Sequence, residues 1–138
     1  MSSVPVRIKA ETVKALRRRS EESGEPMARL AQRYIDEGLR VERHPGIFFR
    51  DGPAGRRAVL VGGPDVWQII VAVRSAPERG DALIDAMAER IGVPRERIRI
   101  AIRYYAEYPT EVDQFIAMVE EEAEQLEEAL EREQRLLE

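Results

Sequence analysis

The stretch that most restricts the fold is Val4-Pro5-Val6-Arg7-Ile8-Lys9, a run of alternating apolar and polar residues. Successive side chains of a strand point to opposite faces. Val4, Val6 and Ile8 therefore form an apolar face, and Ser3, Pro5, Arg7 and Lys9 a polar, basic one. No partner strand is written into the neighbouring sequence, because the next thirty or so residues have a helical pattern. Val13 and Leu16 stand at helical spacing in a helix expected from about Glu11 to Ser23, with Gly24 as its C′ residue. A second helix is expected from Pro26 at N1, with Met27, Leu30, Ala31, Tyr34 and Ile35 on one stripe and Gly38 at its end. A strand and two helices in about 40 residues bury little core alone and leave both strand edges unpaired. A second copy of the chain, pairing strand with strand, answers both problems. Its dimer core would hold Val4, Val6, Ile8, Leu16, Leu30 and Tyr34.

This order, over roughly residues 3 to 42, resembles the ribbon-helix-helix family of Arc, MetJ and CopG-like repressors. The resemblance implies a homodimer that shares an antiparallel ribbon, with the exposed ribbon face entering the major groove of double-stranded DNA. On that likeness Ser3, Pro5, Arg7 and Lys9 take the base-reading positions. It also implies that the start of the second helix, at Met27, Ala28 and Arg29, clamps phosphate with its backbone N–H groups and the helix dipole. Arg7 is the principal reader expected, since a guanidinium donates two parallel bonds to guanine O6 and N7, worth about 1–3 kcal/mol of discrimination. Pro5 departs from the family's polar residue and leaves only apolar contact there. The family's Ser or Thr cap is missing, and Glu25 stands beside the anion site. Plainer readings stay open: an ordinary edge strand, and a solvated helix face at Arg17, Arg18 and Arg19.

Composition removes many other functions. The chain has 138 residues, no cysteine and a single histidine, His44. It contains no run of about 18 apolar residues, so no membrane span is expected. Its start lacks a signal-peptide pattern, so the expected location is cytoplasmic. Zinc-finger spacing and nucleophile pairs built on a second histidine are absent, and no metal or cofactor is expected. The stretch Val61-Gly62-Gly63-Pro64-Asp65-Val66-Trp67 lacks the Lys-Ser/Thr of a phosphate loop and the third glycine of a dinucleotide fingerprint. Asp81 and Asp85 lie four apart on an expected helix with no chemical neighbour apparent, and His44, before Pro45-Gly46, reads as a linker residue. No enzyme is expected.

After Val41 the pattern changes. Asp51-Gly52-Pro53-Ala54-Gly55 separates the apolar runs Ile47 to Phe49 and Ala58 to Val61, which is a hairpin signal. Pro64 or Asp65 then opens a helix carrying Val66, Trp67, Ile69, Ile70 and Val73. A helix from Asp81 to Ile91, a turn at Gly92-Val93-Pro94 and a helix to Tyr108 have the outline of a helix-turn-helix. Ile98, Ala101, Ile102 and Tyr105 are expected inward, and Arg95, Arg97, Arg99 and Arg103 outward, where they serve either DNA or a structural or partner-binding role. Residues from Pro45 to about Ile116 resemble a small helical family of domains that recur in bacterial toxin-antitoxin operons beside PIN-like nucleases. The likeness rests on the hairpin with Arg56 and Arg57, the Gly62-Gly63 to Trp67 helix start and Ala101-Ile102-Arg103-Tyr104-Tyr105 onward. Pro64-Asp65-Val66 replaces that family's apolar Ile-Pro-Val. The combination is similar to VapB-type antitoxins with a fused amino-terminal DNA reader.

Charge is divided along the chain. Residues 1 to 43 hold ten basic and seven acidic side chains, net +3, whereas residues 110 to 138 hold two and eleven, net −9. A polyanion is drawn to one end and repelled by the other. Thr110 with Asp113 three residues on suggests a capping-box start to a last helix. Val112, Ile116, Val119, Ala123, Leu126, Leu130 and Leu137 then mark a heptad seam. Such a helix, with Val119, Ala123, Leu126, Leu130, Arg132 and Arg135 as its contact residues, can bind a basic groove of a partner, form a coiled coil, or fray. The resemblance implies a nuclease toxin as that partner, with Arg132 and Arg135 reaching its carboxylates.

The fold class expected is mainly α with short β: a ribbon-helix-helix over residues 1–43, a hairpin plus helix-turn-helix domain over 44–117, and an acidic amphipathic helix over 118–138. Three functions fit. They are an antitoxin that represses its own operon, a stand-alone transcription factor, and an adaptor that only dimerises. Assembly beyond the dimer stays open.

Overall fold

The computed structural model describes residues 2–138. It is mainly helical, with one two-stranded antiparallel hairpin. The elements are α1 (Ala10–Ser23), α2 (Met27–Arg43), β1 (Ile47–Arg50), β2 (Arg57–Leu60), α3 (Val66–Ser75), α4 (Asp81–Ile91), α5 (Arg95–Glu107) and α6 (Pro109–Leu137). Two compact units divide at Arg40.

In the first unit, residues 2–9 carry no secondary structure and lead into α1 through an extended Lys9. A strand forms only when another strand completes its ladder, and none is available among the described residues of this unit. Gly24 closes α1 with φ of 76°, a left-handed conformation that suits glycine, and its N–H donates to Ser20 O at 2.9 Å. The Leu30 N–H donates to Pro26 O at 3.1 Å, so Pro26 caps α2 and Met27, where Pro26 was expected, is the first helical residue. The expected stop at Gly38 is corrected as well. α2 runs through it to Arg43, and Arg40 pairs with Asp36 at 3.1 Å one turn back. One glycine costs a helix about 1 kcal/mol against alanine, which the good helix formers Leu39, Arg40 and Glu42 offset. Pro45, with no N–H to give, ends the run, and Gly46 turns away at φ of 100°.

The second unit has its own core. β1 and β2 pair Ile47 with Leu60, Phe48 with Val59, Phe49 with Ala58 and Arg50 with Arg57. The Gly52 and Gly55 N–H groups donate to each other's carbonyls across the turn. Ile47 and Leu60 of the hairpin pack with Ile69 and Ile70 of α3, Met87 of α4, Ile98, Ala101 and Tyr104 of α5, and Val112 and Ile116 of α6. Each helix thus inserts one stripe into a common centre.

Two details of this core differ from expectation. Tyr104 of α5, outside the set expected inward, is fully buried, while Ile102 and Tyr105, which were expected inward, are half-buried and pack against the core. Ile98, Ala101 and Tyr104 follow steps of three, and the Tyr105 hydroxyl instead donates to Asp113 at 2.8 Å near the surface. α6 begins at Pro109, a residue pre-shaped for N1, and not with a capping box at Thr110. Asp113 is committed elsewhere, to Tyr105 and Arg74. No described helix is long and apolar enough to cross a membrane.

Candidate nucleic-acid interface and partner helix

The amino-terminal segment presents its side chains to solvent. Val4 is 82%, Val6 70% and Ile8 37% exposed. Ser3, Pro5, Arg7 and Lys9 are exposed too, and neither Arg7 nor Lys9 forms an ion pair among the described residues. Of the other expected dimer-core residues, Leu30 is buried, Leu16 half-buried and Tyr34 exposed, as are Ile35 and Leu39. The first unit thus leaves several large apolar side chains in water.

Met27 is half-buried and Ala28 and Arg29 are exposed at the start of α2. Glu25, which stands beside this helix end, is held by Arg33 at 2.8 Å. The Ser20 hydroxyl donates to the Glu25 carbonyl at 2.5 Å, fixing the approach to α2. The charge that would oppose an anion at this helix start is therefore countered by a neighbouring cation.

α5 is different. Arg95 pairs with Asp85 and lies 4.0 Å from Asp81, Arg99 is 3.5 Å from Asp81, and Arg103 is 3.8 Å from Glu96. Arg97 donates to Gly63 O at 3.0 Å. The expectation that Asp81 and Asp85 have no chemical neighbour is thus overturned: they pair with Arg95 and Arg99 of α5. Exposed pairs of this kind add little stability, but they cancel the field that would attract a phosphate backbone.

His44 is likewise more than a linker. Its side chain is 9% exposed, and Nε2 lies 2.9 Å from Glu107 Oε2. The ring meets Tyr104 and Tyr108 edge-on at centroid distances of 5.4 and 5.8 Å. Arg43 Nε donates to the same carboxylate. Desolvation works to raise the Glu107 carboxyl, but hydrogen bonds from His44, Tyr108 and Arg43 outweigh it and hold the group below the usual carboxylate range. Nothing in the one-dimensional pattern joined residue 44 to residue 107. The start of α3 was more legible, since Asp65 and Gln68 have the spacing of the capping box they form.

α6 leaves the core abruptly. Val112 and Ile116 are buried and Val119 is half-buried, yet every residue from Glu120 to Glu138 is exposed. Ala123, Leu126 and Leu130 therefore continue a core stripe into solvent, and Arg132 and Arg135 stand off that stripe. Among the described residues no three His, Cys, Asp or Glu side chains converge as a metal site would. Compared with known proteins, the chain matches no family model, no curated protein and no solved structure.

Proposed function

We propose that the chain is a sequence-specific DNA-binding repressor that dimerises through its amino-terminal segments and, through α6, binds and neutralises a nuclease partner of PIN-like type, as an antitoxin that regulates its own operon. The observation that carries the DNA-binding half is the segment at residues 2–9: three alternating apolar side chains and two cations, exposed and without a ladder, ahead of a two-helix unit with little core. Pairing two such segments buries Val4, Val6 and Ile8 from each chain, at about 1.5–3 kcal/mol for each fully buried side chain. The same pairing turns Ser3, Pro5, Arg7 and Lys9 of both chains outward together. The internally paired arginines of α5 support assigning DNA contact to the first unit alone. The acidic, exposed stripe of α6 supports a protein partner for the other half. A stand-alone transcription factor is the second reading, favoured by the independent core of the second unit, which needs no toxin to fold.

The test is fluorescence anisotropy of the full chain on DNA from upstream of its own gene and on a scrambled duplex, across a salt series. A preference for the upstream duplex is expected, with affinity falling by a log–log slope of about 0.9 per phosphate contacted. Equal binding to both duplexes at every salt concentration would overturn the reading. Copurification with the product of the adjacent gene separates the antitoxin from the stand-alone factor.

A further inference from the structure

The heptad seam of α6 has one defect. After Leu126 and Leu130 the next seam position is Glu133, and the stripe resumes only at Leu137. Leu130, Glu133, Gln134, Leu137 and Glu138 line one shallow, open depression, so Glu133 lies within the stripe. The residues that flank the seam across its exposed stretch are Glu120, Glu122 and Glu127, then Ala129, Gln134 and Leu136. No lysine or arginine flanks it, because Arg132 and Arg135 occupy outer positions of the heptad.

We propose that Glu133 and the flanking Glu120, Glu122 and Glu127 bar α6 from pairing with a second copy of itself and select a partner segment with an apolar stripe bordered by basic residues, one of them facing Glu133. This rests on the partner-binding half of the function proposed above and not on its DNA-binding half. In a parallel self-pair Glu122 would face Glu127 of the other chain, and two Glu133 side chains would meet in the seam. In an antiparallel pair, flanking glutamates meet flanking glutamates. Each arrangement buries like charges, which costs more than the short exposed leucine stripe returns. A basic partner reverses the sign of every one of these contacts while keeping the burial of Leu126 and Leu130. Continuity with the core stripe at Val112 and Ile116 gives the partner a preformed helix, so little ordering cost falls on this side.

The experiment uses the full chain and a synthetic helical probe: a heptad peptide with leucine seam positions, lysine at the flanking positions and one lysine opposite Glu133. Sedimentation of wild type and Leu126→Glu is expected to give the same oligomer, whereas Glu133→Leu combined with Glu120→Gln, Glu122→Gln and Glu127→Gln is expected to assemble one step further. The lysine peptide is expected to bind the wild type and to lose at least about tenfold in affinity to Leu126→Glu, as removal of a buried leucine implies. A peptide with glutamate at the same positions is expected not to bind. Wild-type self-association abolished by Leu126→Glu would overturn the proposal, as would lysine-peptide binding that Leu126→Glu leaves unchanged. DNA binding measured on the same variants reports the repressor half separately, so failure of one half does not hide in the other.

Discussion

Asp65 joins β2 to α3 in the second unit, which makes its removal a sharp probe. Its Oδ2 accepts from Arg57 Nε at 2.8 Å and from Trp67 Nε1 at 3.2 Å, and its N–H donates to Gln68 Oε1 at 3.0 Å in the capping box that opens α3. Both Asp65 and Arg57 side chains are only 18% exposed. Asp65→Ala leaves the Arg57 cation without its carboxylate, a loss of about 1.5–3 kcal/mol for a charged hydrogen bond. It also removes a helix cap worth about 1 kcal/mol. The contacts share one carboxylate and are not independent, so the expected total is about 2–4 kcal/mol. Asp65→Asn keeps an acceptor for the indole and the cap but drops the charge, and about 1–2 kcal/mol is expected. Urea unfolding followed by the fluorescence of Trp67, the chain's one tryptophan, reads this unit directly. With m of about 1–3 kcal/mol/M, the Ala variant should unfold at a urea midpoint lower by ~1–2 M. A change below about 0.5 kcal/mol, ordinary for a surface site, would refute the hub. An Asn variant as unstable as Ala would assign the whole effect to charge and remove the cap and indole from the account.

Arg7→Ala should weaken binding to the upstream DNA by about 1–3 kcal/mol in anisotropy and leave random DNA less affected, while Lys9→Ala should lower the salt slope by about one unit. Equal loss on both duplexes from Arg7→Ala would defeat base reading. Val6→Glu places a charge on the face proposed to pair two chains, and sedimentation should then find a monomer with its helical circular dichroism retained; an intact dimer would locate dimerisation elsewhere. Because the folded Glu107 carboxyl is held below its ordinary range, its contribution is complete above the unfolded pKa and disappears as pH falls through the folded one. Urea midpoints between neutral pH and about pH 3 should therefore drop for wild type more than for Glu107→Gln. Parallel curves would show that the His44 and Arg43 contacts carry no linkage.

The charge division along the chain acquires meaning once the pairs are located. The arginines of α5 meet Asp81, Asp85 and Glu96, whereas Arg7 and Lys9 meet no acid among the described residues. Net charge alone ranks these two regions as similar. Only the distances separate a cancelled surface from one still able to attract a polyanion.

Local signals were sufficient wherever one residue type enforces a backbone state. Gly24 and Gly92 end α1 and α4 where expected, and the Gly52 to Gly55 turn sets a hairpin register that brings Ile47 opposite Leu60. These are short-range effects of glycine and proline geometry and of hydrophobic periodicity, readable in one dimension. Gly38 shows the limit of that reading, because a glycine stops a helix only where the chain gains by turning left-handed, and here α2 continues to Arg43, two residues before Pro45. Long-range partners were not legible at all. His44 with Glu107, Arg95 with Asp85 and the deeper burial of Tyr104 than of Tyr105 depend on which helix faces meet, and many sequences with the same periodicity would pair differently. Residue order was enough to locate most helices and turns, since those energies are local. Which charges are paired inside the fold was decided in three dimensions, since Coulomb energy depends on distance in space and not along the chain.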